Sequence, residues 1–361
     1  MLSFALILCP IAAVPRAEPG LVVGEPIPVP VLKGVLERPG GALLGTRRDG
    51  KTLVVLVSRD GAKTWKPMGV AARSERPDLG DGNLVALRDG SLALTYRDNA
   101  RPEFAVRVVR SHDGGQSWGS PETIAENDRG LWAPFLLPMR DGSLLCFYDD
   151  EGEPARKGRP GHQWIAVRRF ALGGKAWGSV AVASRRPDSA SKPLLARDGM
   201  MAAIEVRPNR ILGVVEDVAS EEPKPSGIYF NVSGDGGRTW GWSQGRRPTL
   251  FRPEWPHMAV APALCRLSNG PLLCAFATDE GRETTSRSGT PPHEMRLETW
   301  GALSADGGET WGAAFPIHRG TARDYLAALT PRRGGAWLNV LDFDRGPLLI
   351  PLSATPIGAR R

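Results

Sequence analysis

The sequence has few of the residues, and none of the motifs, that mark the common metal and nucleotide enzymes. Its 361 residues include only five histidines and four cysteines. No two histidines have the spacing of a zinc-protease helix and no Cys-x-x-Cys occurs, which argues against a motif-based zinc enzyme. A G-x-x-x-x-G-K-[ST] loop and a strand-borne G-x-G-x-x-G are also missing, so the usual nucleotide cradles are not expected. We therefore predict no cofactor and no bound metal.

The chain also lacks a block of one charge and an apolar run that could span a membrane. Its 46 Lys and Arg exceed its 39 Asp and Glu by seven, and these charges are spread along the sequence. The even spread argues against a nucleic-acid partner, while the net positive charge mildly favours an anionic ligand. The apolar run from Leu2 to Val14 is too short for a membrane span.

That apolar run is followed by a small-residue cleavage point at Ala17, which predicts a signal peptide over residues 1–17. The positively charged segment that normally begins a signal peptide is missing. The alternative interpretation is therefore a frayed N-terminus without a targeting role. We expect residues 18–361 to form a single domain that is secreted or periplasmic. The 41% apolar and 24% charged composition is typical of a folded chain.

Cleavage would leave three cysteines, Cys146, Cys265 and Cys274, and an odd number does not make a disulfide framework. Cys265 and Cys274 flank Asn269-Gly270 symmetrically. A two-residue hairpin turn there would place them directly opposite each other. The two alternatives are a cross-strand disulfide and a pair of buried thiols, of which we favour the thiols.

An octapeptide with the pattern S-x-D-x-G-x-[TS]-W, usually with a further Gly at its fourth place, recurs along the chain. Near-intact copies cover residues 58–65, 111–118, 233–240 and 304–311, and a decayed copy covers 170–177. The Asp carboxylate can accept backbone N–H bonds across a tight turn, while the Trp packs over the hairpin. We predict that these Asp residues form turns and are not catalytic.

A second repeat lies between the octapeptides and consists of an apolar strand, a polar turn and another apolar strand. Clear copies are Leu84–Leu94 and Phe135–Leu145, and a fourth-unit copy turns either at 197–199 or at 207–210. The two repeats together predict an all-β, six-bladed β-propeller with four antiparallel strands per blade. We expect the segment from Pro26 to Leu32 to supply the outer strand of the sixth blade and close the ring.

Four-stranded units with these octapeptides resemble the Asp-box (BNR-repeat) propellers of the sialidase superfamily, over essentially residues 25–352. Gly130–Leu136, Phe147–Glu151 and Ile211–Glu216 are more similar to exo-arabinanases and related BNR-like glycosidases. The resemblance implies a carbohydrate substrate or ligand. Two positions depart from it. Ala133 stands where such relatives commonly have a Glu, and Lys33 lies near the place where sialidases have an Arg that binds a carboxylate.

The strand order predicts which residues face the site. Residues just before the first strand and just after the second strand of each blade lie on one face, around the central channel, where propeller ligands bind. Those before the first strands are Lys33, Asp81, Asn83, Trp132, Trp255, His257, Arg323 and Tyr325. Those after the second strands include Arg97, Asp149, Glu151, Glu216 and Asp279.

Glycoside hydrolysis usually needs two carboxyl groups, whereas sialidases use a Tyr nucleophile with a carboxylate base. We predict Glu216 as the nucleophile or base, or Glu205 if the fourth hairpin turns at 197–199. Tyr325 is a second candidate nucleophile, since it precedes the last inner strand as the sialidase Tyr does. Because Ala133 cannot transfer a proton, Asp149 or Glu151 is predicted to be the proton donor.

Seven further residues are predicted to bind substrate. Arginine side chains would hold sugar hydroxyls or a carboxylate, and the Trp would stack on a sugar face. These residues are Arg97, Asp81, Asn83, Trp132, His257, Asp279 and Arg323, and Asp81 is also a fallback proton donor.

Three functions remain open from the sequence. The favoured one is a secreted exo-acting glycoside hydrolase that attacks the terminal sugar of a glycan. The alternatives are a non-catalytic glycan-binding propeller that has lost its acid, as Ala133 indicates, and a protein-interaction propeller without a glycan role. The sequence does not determine the sugar or the oligomeric state.

Overall fold

Six antiparallel sheets surround a central channel in the structure, a computed structural model. It describes residues 20–31, 33–186, 197–217, 226–254, 256–268, 270–283, 286, 294–320 and 324–354. The predicted signal peptide and two candidate site residues, Trp255 and Arg323, lie outside the described residues. The six-bladed propeller predicted from the repeats is confirmed.

The first three blades have four strands each, ordered from the channel outward as they occur in the chain. Blade 1 contains β3 (Leu36–Glu37), β4 (Leu43–Asp49), β5 (Thr52–Ser58) and β6 (Lys66–Arg73). Blade 2 contains β7 (Asp78–Ala86), β8 (Leu92–Asn99), β9 (Phe104–Ser111) and β10 (Glu122–Asn127). Blade 3 contains β11 (Leu131–Pro138), β12 (Leu144–Asp150), β13 (Trp164–Phe170) and β14 (Ala181–Ser184).

The last three blades follow the same order. Blade 4 contains β15 (Asp198–Arg207), β16 (Arg210–Asp217), β17 (Gly227–Ser233) and β18 (Thr249–Phe251). Blade 5 contains β19 (Ala259–Arg266), β20 (Leu272–Thr278), β21 (Glu298–Ser304) and β22 (Phe315–His318). Blade 6 contains β23 (Asp324–Arg332), β24 (Gly335–Asp342) and β25 (Gly346–Ala354), and its outer edge is formed by β1 (Leu21–Val23) and β2 (Ile27–Pro28).

Helical structure is minor among the described residues, where the two named elements are α1 (Gly152–Arg156) and a 3₁₀ turn at Gly241–Gln244. Within the described part of the chain, no helix is long and apolar enough to cross a membrane.

The N-terminal segment closes the ring, as predicted, but it begins earlier and is split in two. Leu21 pairs with Ala354 and Ile27 pairs with Leu349, so both short strands run antiparallel to β25. The chain passes close to β25 between them, where a Cβ on Gly24 would lie 2.6 Å from Pro351 Cγ. This pairing covers the outer edge of β25 and leaves only two short strands at the edge of blade 6, which limits association with another chain.

The buried apolar side chains pack between neighbouring sheets. One cluster joins Leu44 and Val55 of blade 1 to Leu84 and Leu94 of blade 2, and similar clusters fill the other interfaces. The second strands of the blades are buried on both faces, so the sequences of β8, β12 and β16 are near-continuous apolar runs that end in polar residues. These polar strand ends are what the fold presents at the face of the ring.

The octapeptides form the predicted turns. In the third copy, Asp235 Oδ1 accepts the backbone N–H of Arg238 at 3.0 Å and of Thr239 at 2.9 Å, and its other oxygen accepts the Thr239 hydroxyl. In the other three copies the N–H and hydroxyl of the equivalent Thr or Ser also donate to the Asp, and in the first copy these bonds lower the pKa of Asp60 to about 2. The Trp240 indole N–H donates to the Gly237 carbonyl at 3.1 Å, which fixes the ring over the turn.

The expected opposition of Cys265 and Cys274 is wrong by one residue. The loop between β19 and β20 has three residues, because Leu267 N–H donates to the Pro271 carbonyl at 3.0 Å. Cys265 therefore pairs with Leu273, and Cys274 pairs with Leu264. A one-residue shift turns side chains to opposite faces of a sheet, so the two sulfurs pack in different clusters as free, buried thiols.

The fourth hairpin turns at 207–210, since Arg207 pairs with Arg210. This choice between the two alternatives removes Glu205 from the candidate site. Its carboxylate accepts the backbone N–H of Arg140 at 2.6 Å and of Asn209 at 2.9 Å, and so joins two hairpin ends. Glu216 lies at the opposite end of the same sheet.

Candidate functional site

A ring of unusual backbone conformations marks one end of the channel. Five non-glycine residues at equivalent points near the start of successive inner strands have φ between 42° and 63°: Lys33, Asp81, Ala133, Met200 and Ala261. The last four lie in β-bulges, where two residues of the inner strand oppose one residue of the second strand. Left-handed backbone at a non-glycine residue costs roughly 1–2 kcal/mol. Such conformations cluster at functional sites because the surrounding fold must enforce them.

The bulges set three candidate site residues at equivalent positions of their blades. Arg97, Asp149 and Glu216 each lie on the second strand, directly opposite the residue that precedes the bulge in blades 2, 3 and 4. The corresponding residue of blade 5 is the apolar Ala277. The chemistry is therefore concentrated on one side of the ring, where three neighbouring blades present an arginine, an aspartate and a glutamate.

Each carboxylate is held by the bulge of the next blade. Met200 N–H donates to Asp149 Oδ1 at 3.0 Å, and Ala261 N–H donates to Glu216 Oε2 at 2.5 Å. The left-handed backbone turns these N–H groups out of the sheet ladder and towards the carboxylates. Gly199 leaves room for Glu216, since a Cβ on this glycine would lie 2.7 Å from Glu216 Oε1. The bulges thus position the two acids that the sequence predicted as catalytic.

The pKa values of both carboxyl groups are raised. Burial raises the pKa of Glu216 to about 7, although the Ala261 N–H and the charges of Lys33 and Arg197 act in the opposite direction. Burial and the neighbouring charge of Glu216 raise the pKa of Asp149 well above its ordinary value. Glu216 is therefore close to its titration point near neutral pH, and Asp149 holds its proton more tightly than an ordinary aspartic acid. A raised pKa favours the protonated form that a general acid needs.

Tyr325 belongs to the same electrostatic cluster. It lies near the start of β23, in blade 6, and is partly buried. Burial, followed by the charges of Glu216 and Asp149, raises the pKa of its hydroxyl. The phenol is therefore neutral at physiological pH, so it donates a hydrogen bond unless a base removes its proton.

The two cations beside this cluster are paired with aspartates. Lys33 Nζ lies 2.8 Å from Asp81 Oδ1, and Arg97 contacts the other oxygen of Asp81 as well as Asp78 Oδ1, at 2.9 Å from its Nε. Burial, and then the charge of Arg97, lowers the pKa of Lys33 to about 8. Asp81 thus serves as the shared counterion of Lys33 and Arg97.

Glu151 lies beside the central acids and is connected to Asp149 through two polar side chains. Glu151 Oε1 accepts the Trp132 indole N–H at 3.2 Å and an Arg197 N–H at 2.8 Å. Arg197 also donates to Gln163 Oε1 at 2.7 Å, and Gln163 Nε2 donates to Asp149 Oδ2 at 3.2 Å. The guanidinium of Arg97 lies 5.9 Å from the centre of the Trp132 ring.

Three other predicted residues have their described polar contacts within the fold. Asn83 Oδ1 accepts the backbone N–H of Leu136 at 2.8 Å and so joins blades 2 and 3. Asp279 is fully buried and accepts the backbone N–H groups of Met258 and Ser286. His257 Nδ1 lies 3.6 Å from Asp279 Oδ1.

The sequence interpretation missed Asp78, Gln163 and Arg197 as parts of the site. Arg197 belongs to the Arg-Asp-Gly segment that was one of two possible positions for the fourth turn, and it becomes a site residue once that turn is placed at 207–210. Asp78 begins β7 and Gln163 directly precedes β13, and neither residue belongs to one of the two sequence repeats. Their roles arise from the register of two strands, which the local sequence does not specify.

A cavity of about 370 Å³ extends from this end of the ring into the channel. It reaches Lys33, Asp81 and Asn83 at the site end, and its walls are the inner strands of all six blades. Most of its lining is apolar, with Ala133, Met201, Ala202, Ile204, Leu264 and Leu329 among the residues. Asp149, Glu216 and Tyr325 do not line it. The cavity is therefore the channel next to the acid cluster, and the cluster itself lies at its side.

No protein-family model and no curated protein sequence matches this chain. Its structure is similar to that of a protein of unknown function from Dyadobacter fermentans (TM-score 0.67, 14% identity, covering 94% of this chain and 100% of that one). It is also similar to an α-L-arabinanase from Penicillium chrysogenum complexed with arabinobiose (TM-score 0.57, 17% identity, covering 92% and 93%). A third similar structure is the GH93 α-L-arabinofuranosidase of Fusarium graminearum with arabinobiose (TM-score 0.56, 15% identity, covering 91% and 92%). At these identities the likeness shows that the chain shares the fold of these proteins.

Proposed function

We propose that the chain is an exo-acting glycoside hydrolase that removes a terminal sugar from a glycan. The observation that carries the proposal is the pair of carboxyl groups, Asp149 and Glu216, which interact electrostatically beside the channel and both have raised pKa values. Glycoside hydrolysis requires an acid to protonate the leaving oxygen and a second carboxylate as nucleophile or base. Two structurally similar proteins are an arabinanase and an arabinofuranosidase, each with arabinobiose, which supports a glycan substrate.

In this mechanism Asp149 is the proton donor, because burial and the charge of Glu216 raise its pKa and so favour the protonated form. Glu216 is the nucleophile or general base, and Lys33 and Arg197 favour its ionised form. The hydrogen bond from Ala261 N–H orients the Glu216 carboxylate, leaving Oε1 for the sugar or for water. Tyr325 supplies a neutral phenol beside both acids and would act as a nucleophile only if Glu216 took its proton.

We propose a neutral sugar as the substrate. A sialoside or uronic acid needs arginines free to bind its carboxylate. Arg97 is already held by Asp78 and Asp81, and Lys33 shares Asp81, so these two cations carry matching counterions. The mild preference for an anionic ligand expected from the net charge is thus not supported by the site itself. An α-linked arabinose, as in the two arabinobiose complexes, is the first sugar to test.

A non-catalytic glycan-binding propeller is the second candidate, and Ala133 favours it. This residue lies in the bulge between Trp132 and Phe135 and offers no acid at that position. In the hydrolase proposal Asp149, directly opposite Trp132, takes over that role. The two candidates make different predictions, since only a hydrolase releases product.

The experiment is a product analysis by mass spectrometry after the purified chain is incubated with arabino-oligosaccharides, sialosides and uronic-acid polymers. We expect release of one neutral monosaccharide from the arabino-oligosaccharides, and loss of release in Glu216→Ala. Binding without release from a folded sample would overturn the hydrolase and support the binding propeller. Release from sialosides alone would overturn the proposal of a neutral substrate.

We also propose that the chain is exported, on the basis of residues 1–17. Detection outside the cytoplasm of a chain that begins near residue 18 would support this proposal.

A further inference from the structure

A second cluster of titratable side chains lies between blades 5 and 6. His318 ends β22, Asp324 begins β23, and Asp342 ends β24 directly opposite Asp324. One donor atom from each of the three lies within 4.8 Å of the others, and His318 Nε2 is 3.7 Å from Asp324 Oδ2. The hydrolase mechanism proposed above does not use any of these groups.

Asp324 distinguishes this cluster from an ordinary group of acids. The residue is only 1% exposed, yet neither of its carboxylate oxygens accepts a hydrogen bond from any described residue. Within the same part of the chain, His318 Nε2, which lies 3.7 Å from this carboxylate, also has no hydrogen-bond partner. Buried polar groups are nearly always satisfied by a hydrogen bond, an ion pair or a bound ion. Two buried carboxylates and one imidazole nitrogen that converge in this way indicate a cation ligand set.

Blade 4 contains an equivalent pair of buried aspartates, and there an arginine of the chain is the counterion. Asp198 faces Asp217 across β15 and β16 as Asp324 faces Asp342 across β23 and β24. There the guanidinium of Arg247 donates to both oxygens of Asp198, each at 2.7 Å, and lies 3.4 Å from Asp217 Oδ2. The propeller thus tolerates a buried aspartate pair at this register position when one positive group lies between the two carboxylates.

The residue that approaches the pair from the preceding blade also differs. In blade 3 it is Ser184, which pairs with Ile165 and donates its hydroxyl to Asp198 Oδ2 at 2.6 Å. In blade 5 the equivalent residue is His318, which pairs with Thr299 in the same irregular register. A hydroxyl that donates a hydrogen bond is therefore replaced by an imidazole, which is among the commonest metal ligands.

Two arginines near the cluster are paired with Glu298, while the positive charge of Arg345 also acts on His318 and Asp324. Arg282 Nε lies 3.0 Å from Glu298 Oε1, and Arg319 Nε lies 3.7 Å from the other oxygen of Glu298. Asp342 Oδ1 accepts the backbone N–H groups of Asp344 and Arg345 at 2.9 and 3.0 Å, which fixes the orientation of its carboxylate. Among the described residues, none donates a hydrogen bond to Asp324 as Arg247 does to Asp198.

We propose that His318, Asp324 and Asp342 bind a divalent first-row transition-metal cation that joins blade 5 to blade 6. One imidazole nitrogen and two carboxylates form a donor set that suits Zn²⁺, whereas Ca²⁺ takes six to eight oxygen ligands. Because Asp324 immediately precedes Tyr325, the cation would also fix the start of the strand that carries this candidate site residue. Three protein ligands leave a fourth tetrahedral position for water, and we expect a structural role because the cation would link two blades.

The test is a titration of the full-length, untagged, metal-free chain with Zn²⁺, followed by calorimetry and by metal analysis after dialysis. We expect one Zn²⁺ per chain, a rise in the melting temperature, and affinity at least about 100-fold weaker in Asp324→Asn and in His318→Gln. His257→Gln is the matched control, since His257 also lies beside a buried aspartate, Asp279, whose oxygens accept backbone N–H bonds. This control should bind Zn²⁺ as the natural chain does.

Two results would overturn the proposal. One is wild-type protein that neither retains Zn²⁺, Mn²⁺ or Co²⁺ nor melts at a higher temperature in their presence, which would make the aspartates a proton-sharing pair. The other is unchanged Zn²⁺ affinity in both variants. If the variants do not fold, Co²⁺ bound to the natural chain provides a separate readout. A visible absorption band typical of a low-coordinate site with one nitrogen ligand supports the site, and the spectrum of hydrated Co²⁺ contradicts it.

Discussion

Burial decides the behaviour of the individual carboxyl groups in this propeller. The octapeptide aspartates are exposed and accept several hydrogen bonds, which hold the pKa of Asp60 at about 2. Glu216 accepts one strong backbone hydrogen bond but is taken out of water, and its pKa rises to about 7. The same functional group is therefore a fixed anion at the turns and a titrating group at the channel.

The pKa of Glu216 predicts an acidic limb in the pH profile of hydrolysis. Below about pH 7 the group takes up a proton and cannot act as nucleophile or base, so kcat/KM should fall about tenfold per pH unit. In Lys33→Met the limb should move to higher pH, because the positive charge of Lys33 lowers the pKa of Glu216. Profiles of both proteins on one substrate check this, and a wild-type limb near pH 4.5 would contradict it.

The same raised pKa predicts a cost in stability. A carboxyl that is harder to ionise in the folded state is destabilising once the unfolded chain ionises, so the penalty is absent below about pH 4.5 and complete above about pH 7. Glu216→Gln, which keeps an acceptor for Ala261 N–H, should raise the free energy of unfolding by about 1–3 kcal/mol at pH 8 and hardly at pH 4.5. Denaturant unfolding at the two pH values measures the difference. An equal change at both would show that ionisation is not the cause.

At the scale of strands and turns, the bulges position the site and the octapeptides stabilise the blades. The bulges and the octapeptide turns lie at opposite ends of the sheets, so their effects can be separated by mutation. A change at a bulge should affect activity more than stability, and a change in an octapeptide should do the reverse.

Gly199→Ala tests the bulge end. The added Cβ would lie 2.7 Å from Glu216 Oε1, and the flexible carboxylate would have to move. We expect kcat/KM to fall at least tenfold while the free energy of unfolding changes by less than about 1 kcal/mol. Gly234→Ala is the control, because nothing lies within 4 Å of a Cβ there. Full activity in Gly199→Ala would show that Glu216 does not need its present position.

Asp235→Ala tests the octapeptide end. The variant loses the acceptor for the Arg238 and Thr239 N–H groups and for the Thr239 hydroxyl. We expect a loss of about 1–2 kcal/mol in the free energy of unfolding, as for a lost helix cap, with unchanged kcat/KM. Thermal and denaturant unfolding measure the first quantity. A fall in kcat/KM at temperatures where the variant is fully folded would contradict the purely structural role.

At the scale of the whole molecule, the ring assembles a site from residues that are far apart in sequence. Lys33, Arg97, Asp149, Glu216 and Tyr325 come from five segments, and the ring brings them together because each lies at the same end of its blade. Their mutual electrostatic effects on pKa are a property of the closed ring and not of any one blade.

Much of this could be predicted from the sequence because the fold is repetitive. The octapeptides and Asp-Gly turns gave six blades, and counting strand ends from those turns placed Asp149 and Glu216 on one face. What the repeats could not specify depends on single-residue changes in register. The three-residue loop at 268–270 separated Cys265 from Cys274, and the bulges put Asp81 between two cations. The His318 cluster also escaped prediction, since its ligands lie in strands of two blades.

The central claim, that Glu216 and its neighbours hydrolyse a terminal sugar, is tested most directly by comparing two matched variants. Glu216→Gln and Glu205→Gln each remove one carboxylate from blade 4, at opposite ends of the same sheet. The measurement is the rate of monosaccharide release from an arabino-oligosaccharide at pH 7.5 by the natural chain and by each variant. The account predicts a fall of at least about 10³-fold for Glu216→Gln and a change within about twofold for Glu205→Gln. Equal rates in the natural chain and Glu216→Gln would contradict it.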